Sequence, residues 1–196
     1  IANMLYEGAW VAERYTVIDD LLATNPDAIH PVTRQIISHA ESMSAADAFK
    51  GIYRLADLKR EAEPMLAELD MMCVPTIPTF YSVTDLEADP VMPNSNNGTY
   101  TNFVNLLNMC AIAVPTAPRS DDRPGSVTLI AAAGKDAGVA VIARGFEADC
   151  SRTLGATFHP VPTPSALPMG ASDQIELAVC GAHMTDLPLN WQLTDL

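Results

Sequence analysis

Proline is concentrated in one short stretch of this chain, at Pro160, Pro162, Pro164 and Pro168. Because proline fixes its own φ angle and donates no backbone hydrogen bond, such a stretch neither continues a helix nor forms a central strand. The cluster therefore divides the chain. We predict one domain over residues 1–150, a proline-rich linker over residues 151–172, and the start of a second domain over residues 173–196.

The charge balance limits what the chain can bind. Its 196 residues include 24 acidic and 11 basic side chains, which gives a formal net charge of −13. With so few basic residues there is no positive stripe to neutralise phosphates, so we predict that the chain binds neither nucleic acid nor an anionic membrane. The hydrophobic share of 48% is enough for a packed core, which excludes a disordered chain. Small molecules and proteins remain as partners.

The cysteine, histidine and glycine residues form no motif that would hold a metal or a nucleotide. The four cysteines include no C-x-x-C pair, the four histidines form no H-E-x-x-H motif, and no glycine-rich phosphate loop is present. No apolar run approaches the ~20 residues that span a bilayer, and the first residues lack the basic region of a signal peptide. We therefore predict no metal, no cofactor and a reduced, cytoplasmic location.

Helical spacing of apolar residues dominates the first third of the chain. Residues 9–23 predict an amphipathic helix, and a shorter helix is predicted from Pro31 to about Met43. Ser44 and Asp47 resemble a capping box, which marks the start of the longest predicted helix. The apolar positions of that helix continue over residues 49–69, and Pro64 within it should bend its axis.

The middle of the chain predicts strands that alternate with helices. Buried strands are predicted within the apolar runs 71–78, 111–114, 126–131 and 174–180. Helices are predicted over 102–109 and 136–147, and the stretch 84–97 has the composition of a long loop. This alternation is typical of an α/β layered fold.

Several segments together resemble the amidase signature family. They are LYEGAWVAERY (5–15), HPVTRQII (30–37), SAADAFKGIYRLADLKREAEP (44–64), GTYTNFVNLLNMCAIAVP (98–115), RPGSVTLIAAAGKDAGVAVIARGFE (123–147) and IELAVCGAHMTDLPLNWQL (175–193). The resemblance implies a partial amidase-signature fold of the α/β class, with a mixed sheet flanked by helices. It also implies that the last of these segments is the first strand of a second domain.

Within that family, the segments match the branch that hydrolyses allophanate, a urea that carries a carboxylate, to ammonia and carbon dioxide in urea degradation. Such enzymes use a lysine and two serines, the serines lying in a Gly/Ser-rich segment. None of the three lysines here is followed by such a segment. The resemblance therefore implies a fragment, with its catalytic triad upstream of residue 1, and we expect this chain to be inactive alone.

The resemblance also implies two substrate-binding residues, Tyr6 and Arg14. A guanidinium can meet the carboxylate of allophanate with two parallel donors, and a phenol can add a third. Eight helical residues would separate the two side chains by about 12 Å along the axis, so both reach one small anion only if Tyr6 lies in the loop before the helix that carries Arg14. The structural alternative is that Tyr6 packs and Arg14 pairs with a surface acid such as Glu7.

His183 is the candidate catalytic residue of the second domain. By resemblance, a histidine of that domain assists the breakdown of the first product, and a neutral imidazole can act as a general base near pH 7. The alternative is a structural histidine at the end of a strand.

Two other functions stay open at this point. One is another amidase of the same family that acts on uncharged amides, and the other is a non-catalytic interaction module, which the missing triad favours. The resemblance further implies urea carboxylase as a partner and a homodimer formed through the long helices.

Overall fold

The computed structural model describes residues 1–150, 153–155, 157–161, 179 and 181–194, and it leaves out the side chains of residues 6 and 7. The chain divides into two compact units, Ile1–Arg152 and Thr153–Leu196. Most of the predicted linker and nearly all of the predicted strand 174–180 lie outside the described residues. The three-part division of the chain therefore stays a prediction.

Four α-helices occupy the first part of unit 1. They are α1 (Met4–Glu7), α2 (Trp10–Thr24), α3 (Pro31–Ser38) and α4 (Ala45–Ala67). The predicted helices are confirmed, with a turn of 3-10 helix at Pro26–Ala28 before α3 and another at His39–Ser42 after it. Gly8 has extended backbone angles and separates α1 from α2. Tyr6 thus belongs to a different helix from Arg14.

The start of α4 is fixed by its own sequence. The Asp47 backbone N–H donates to Ser44 Oγ at 3.2 Å, and the Ser44 N–H donates to the Asp47 carboxylate at 3.1 Å. This is the predicted capping box. The hydrogen bonds from the side chain and backbone of Ser44 hold the pKa of Asp47 below its ordinary value. At the other end, the helix continues through Pro64 to Ala67.

Removing this cap should loosen the first turn of α4. For Ser44→Ala we expect a cost of about 1 kcal/mol, because the Asp47 backbone N–H loses its side-chain acceptor. Amide hydrogen exchange at the start of α4 should then be about fivefold faster, while exchange in α2 stays unchanged. Ser44→Asn, which can still cap, is the control. Folding lowers the pKa of Asp47, so the ionised carboxylate contributes to the stability of the folded state. This contribution is complete above about pH 4 and is lost as the pH falls further. Equal exchange in both variants would contradict the role of the cap.

The apolar face predicted for α4 is buried only in part. Leu55 is buried, but Phe49 and Ile52 are 56% and 52% exposed. The periodicity of the sequence located the helix correctly, and it was wrong about how much of that face packs against described residues.

Three strands form the described sheet: β1 (Met72–Pro75), β2 (Met109–Pro115) and β3 (Ser126–Ala132), in the order β1-β3-β2. Both neighbouring pairs are antiparallel, with Met72 opposite Ile130 and Met109 opposite Ala132. The predicted strand positions are confirmed. The mixed sheet that the resemblance implies is not found among these strands, because the connection 116–125 is too short for a crossover and joins β2 to β3 as a hairpin.

Burial in the sheet is greatest at its centre. Leu129–Ala131 of β3 are buried, whereas in the outer strands only Val114 of β2 is buried, and Cys73 of β1 and residues 111–113 of β2 are exposed. The prediction of buried strands is therefore correct for β3 and only partly correct for the two outer strands, which have a single neighbour each in the described sheet. Helix α8 (Asp136–Asp149) covers one face, where Val139 and Ala143 pack against Val114, Leu129 and Ala131.

The stretch 84–97 is not the long loop that its composition predicts. It contains α5 (Val83–Ala88) and α6 (Met92–Asn97). A second capping box starts α5, in which the Asp85 N–H donates to Ser82 Oγ at 3.1 Å and the Ser82 N–H donates to the Asp85 carboxylate at 2.8 Å. Pro93 lies in the first turn of α6. Aspartate and proline serve here as helix-starting residues, since Asp89 accepts from the N–H groups of Val91 and Met92, and this explains why a composition typical of loops forms helices.

Two single-turn helices complete the described structure. Helix α7 (Phe103–Leu106) is shorter than the predicted helix 102–109, because Asn108 adopts a left-handed conformation with φ of 54° and leads into β2. Asparagine tolerates this conformation better than most residues. Helix α9 (Trp191–Thr194) in unit 2 was not predicted.

Candidate functional site

A cavity of about 460 Å³ lies among the helices of unit 1 and contains the predicted substrate-binding arginine. Its lining comes from α1, α2, α4 and α7: Leu5, Trp10, Glu13, Arg14, Leu55, Lys59, Asn105 and Leu106. The lining is half apolar and half polar, and three of its four polar side chains are charged. Such a composition suits a small ligand that is oriented by one or two charged contacts.

Helices α2 and α4 approach closely beside this cavity. A Cβ atom added to Gly51 of α4 would lie 2.5 Å from the Cβ of Ala9, at the start of α2. Only glycine permits this approach without a shift of backbone. Along the same two helices, Arg14 and Lys59 both reach the cavity wall. The close approach places the start of α2 directly beside α4.

Arg14 is half-buried on α2 and interacts with another group of the chain. The backbone of Tyr6 lies in helix α1, ahead of Gly8, and not in the loop that the sequence predicts, although α1 is a separate helix from the one that carries Arg14. Its side chain falls outside the description, as does that of Glu7, the acid named in the structural alternative. The joint action of Tyr6 and Arg14 on one carboxylate stays a prediction.

The cavity also contains three polar residues that the sequence did not single out: Glu13, Lys59 and Asn105. Lys59 lies one helical turn after the buried Leu55 of α4, and its side chain is exposed at the cavity wall. Asn105 lies in α7. Because an exposed charged residue on a helix is ordinarily solvated, no sequence signal distinguished Lys59 or Glu13 from the rest of the surface. For Asn105, no signal separated a ligand from a capping residue.

Most other basic side chains of unit 1 are held by acids close by in the sequence. The pairs are Arg34 with Asp27, Lys50 with Asp47, Arg54 with Glu61, Arg60 with Asp57, and Arg119 and Arg123 with Asp121. Neither Lys59 nor Glu13 forms an ion pair with any residue that the structure describes. The cavity thus carries two cationic side chains and one acid, within a chain whose formal net charge is −13.

His183 lies in unit 2, which we describe separately. Its Nε2 atom is 3.0 Å from Gln192 Oε1, and Asn190 donates a hydrogen bond to its backbone carbonyl at 2.9 Å. Because an amide oxygen only accepts, the neutral ring donates from Nε2 and keeps its lone pair on Nδ1. This arrangement leaves one ring nitrogen for proton transfer, and a catalytic role for His183 stays a prediction.

Two searches over the described residues gave negative results. No group of three or more His, Cys, Asp or Glu side chains among them could hold a metal ion. No helix in the same residues has the length and apolar character needed to cross a membrane.

Comparison with known proteins identifies the relatives of this chain. No family model matches it. The urea amidolyase of Lachancea kluyveri is 39% identical over 204 residues, which cover 98% of this chain and 11% of that protein. The structure of Kluyveromyces lactis allophanate hydrolase has 38% identity and a TM-score of 0.79, over 99% of this chain and 33% of that one.

A more distant structure is described as an amidase, with 17% identity and a TM-score of 0.62 over 75% of this chain. At that identity the match concerns the fold alone, and it agrees with the combination of helices and strands seen here. The chain spans 11% of the length of the urea amidolyase and about a third of the allophanate hydrolase structure. Over nearly its whole length, the chain is therefore homologous to one segment of urea amidolyase and of allophanate hydrolase, and it shares the fold of the amidases.

Proposed function

We propose that this chain is a segment of an allophanate hydrolase, the enzyme that hydrolyses allophanate to ammonia and carbon dioxide in urea degradation. In this proposal, residues 1–150 are the C-terminal part of an amidase-signature domain and residues 173–196 begin a second domain. The observation that carries the proposal is the 38% identity to allophanate hydrolase, which extends over 99% of the chain with a TM-score of 0.79.

The cavity supports an anionic substrate. Allophanate combines a urea group with a carboxylate, and the carboxylate is the part that a guanidinium recognises by two parallel hydrogen bonds. Arg14 supplies that guanidinium at the cavity wall, and the aromatic ring of Trp10 and the side chains of Leu55 and Leu106 restrict the space around it. In our proposal, Tyr6 and Arg14 bind the carboxylate end and leave the amide end towards the catalytic groups.

The bond-breaking groups of the proposed reaction belong to another part of the enzyme. Lys50 is paired with Asp47, Lys59 lines the cavity, and Lys135 immediately precedes α8. None of these lysines is followed by the Gly/Ser-rich segment that the amidase mechanism needs. In this proposal the segment binds and orients the substrate while a serine elsewhere attacks the amide carbon.

Activity measurements on the full-length enzyme test the function. We expect it to release ammonia from allophanate at least 100-fold more efficiently than from the uncharged amides acetamide and biuret, because only allophanate offers a carboxylate to Arg14. The 196-residue chain alone should release none. Faster turnover of the uncharged amides would favour the general amidase, and a chain that binds a protein partner while the full-length protein lacks amide hydrolysis would favour the interaction module.

The proposal also includes a location and partners. Allophanate is a carboxylated urea, so an enzyme that carboxylates urea must supply it, which makes urea carboxylase the proposed partner. A homodimer through α4 is proposed on the exposed apolar residues of that helix, where the rings of Phe49 and Tyr53 lie 6.2 Å apart and Ile52 is half-exposed. The proposed location is the cytoplasm.

A further inference from the structure

Lys59 occupies a position between two cavities of unit 1. On one side it lines the cavity of about 460 Å³ that contains Arg14. On the other it lines a cavity of about 470 Å³, which extends along the end of α4 past Glu63 and Leu66 to Met109 and Ala132 of the sheet. A side chain in this position forms part of the wall of the Arg14 cavity, and its ammonium group can serve whatever ligand that cavity holds.

The charges around Lys59 distinguish it from the other cations of α4. Lys50 lies 3.5 Å from Asp47, and Arg60 lies 2.8 Å from Asp57. Glu63 follows Lys59 by one helical turn, yet the two form no ion pair, and a lysine placed before its glutamate is the weaker order for such a pair. Lys59 therefore keeps its ammonium group free of any acid that the structure describes, beside a half-buried arginine.

Resting on the proposed function, we propose that Lys59 is the second cation of the carboxylate-binding site and that it raises the preference of the enzyme for anionic over uncharged substrates. One carboxylate has two oxygens with about four acceptor positions, of which a guanidinium uses two. An ammonium group can serve a remaining position as a point charge. Lys59 is a substrate-binding residue in this proposal and takes no part in the chemical step, since the amide that reacts lies at the other end of the substrate.

The second cation changes the net charge of the cavity lining. The chain has a formal net charge of −13, and Glu13 contributes a further acid at the cavity wall itself. With Arg14 alone, the lining would be neutral, because Glu13 would offset the guanidinium. Lys59 gives the lining one excess positive charge. Salt screens the attraction that this charge exerts on an anion beyond about 10 Å at 0.1 M. The excess charge therefore stabilises an anion that is already in the cavity.

The test compares two ligands in variants of the full-length enzyme. For Lys59→Met we expect the KM for allophanate to rise about fivefold, which corresponds to about 1 kcal/mol, with kcat unchanged. The inhibition constant of biuret, an uncharged isostere in which an amide replaces the carboxylate, should not change. Lys59→Arg should restore the KM, Lys59→Gln should repeat the loss, and Lys50→Met on the same helix is the control.

A parallel measurement on Arg14→Ala separates this inference from the proposed function. A raised KM in Arg14→Ala with an unchanged KM in Lys59→Met and Lys59→Gln would overturn the role of Lys59 and leave the proposed function standing. An unchanged KM in both the arginine and the lysine variants would overturn both. Equal weakening of allophanate and biuret in Lys59→Met would show that the side chain acts through packing, and would also overturn the inference.

Discussion

In the full-length enzyme, Arg14→Ala should raise the KM for allophanate about 100-fold and leave kcat within about threefold of the original value. Hydrogen bonds to a charged group contribute about 1.5–3 kcal/mol, and a factor of 100 corresponds to about 2.7 kcal/mol. The carboxylate is held equally in the ground state and the transition state, since it does not react, and the loss of such uniform binding appears in KM. Steady-state kinetics with allophanate measures both constants.

Two companion variants make this result specific. Arg14→Lys keeps the charge and loses the parallel pair of donors, so its KM should lie between those of the parent enzyme and the alanine variant. Arg34→Ala removes an arginine that is paired with Asp27 outside the cavity, and its KM should not change. The assignment of Arg14 fails if its alanine variant has the same KM as this control.

The second large effect is expected at His183. Hydrolysis of the amide of allophanate releases one ammonia and leaves a nitrogen that carries two carboxylates. In His183→Ala, the first ammonia should appear at the normal rate, while breakdown of this first product slows about 100-fold, which is the lower range for loss of a general acid or base. Separate assays of ammonia and of carbon dioxide release distinguish the two steps.

The hydrogen bonds around His183 provide the matched variants. Gln192→Ala removes the group 3.0 Å from Nε2 and should slow the second step less than loss of the ring does, because the imidazole remains but is no longer oriented. His159→Ala, in the same unit, is the control for general effects on that unit. If carbon dioxide and ammonia still appear together in His183→Ala, the histidine is structural.

Local sequence signals predicted the positions of the helices and strands well, and they predicted the burial and the pairing of those elements less well. The capping box at Ser44 and Asp47 identified the start of α4, because its partners lie within one turn of each other. The exposure of Phe49 on the same helix depends on which distant segments cover it, and no local pattern records that. The connection 116–125 between β2 and β3 is short, and a short connection favours an antiparallel pair. The alternation of helices and strands along the chain drew attention to a layered α/β fold instead.

Residues of the candidate site that belong to a sequence motif could be predicted. Residues that only tertiary packing brings to the site could not. Arg14 belongs to a segment that resembles a known family, so the sequence alone predicts it as a substrate-binding residue, and the structure places it at the cavity wall. Lys59 lies in α4, where a charged residue ordinarily faces solvent, and its place at the cavity wall depends on the approach of α2 and α7. The sequence distance between Arg14, Lys59 and Asn105 explains why only the folded chain brings them together.

The close approach of α4 to α2 gives a residue outside the cavity control over its dimensions. Gly51 is absent from the lining, yet the space beside its Cα sets how near Ala9 can come. We expect a larger side chain at residue 51 to push the start of α2 away from α4. The shape of the cavity would then change although every residue that lines it stayed the same.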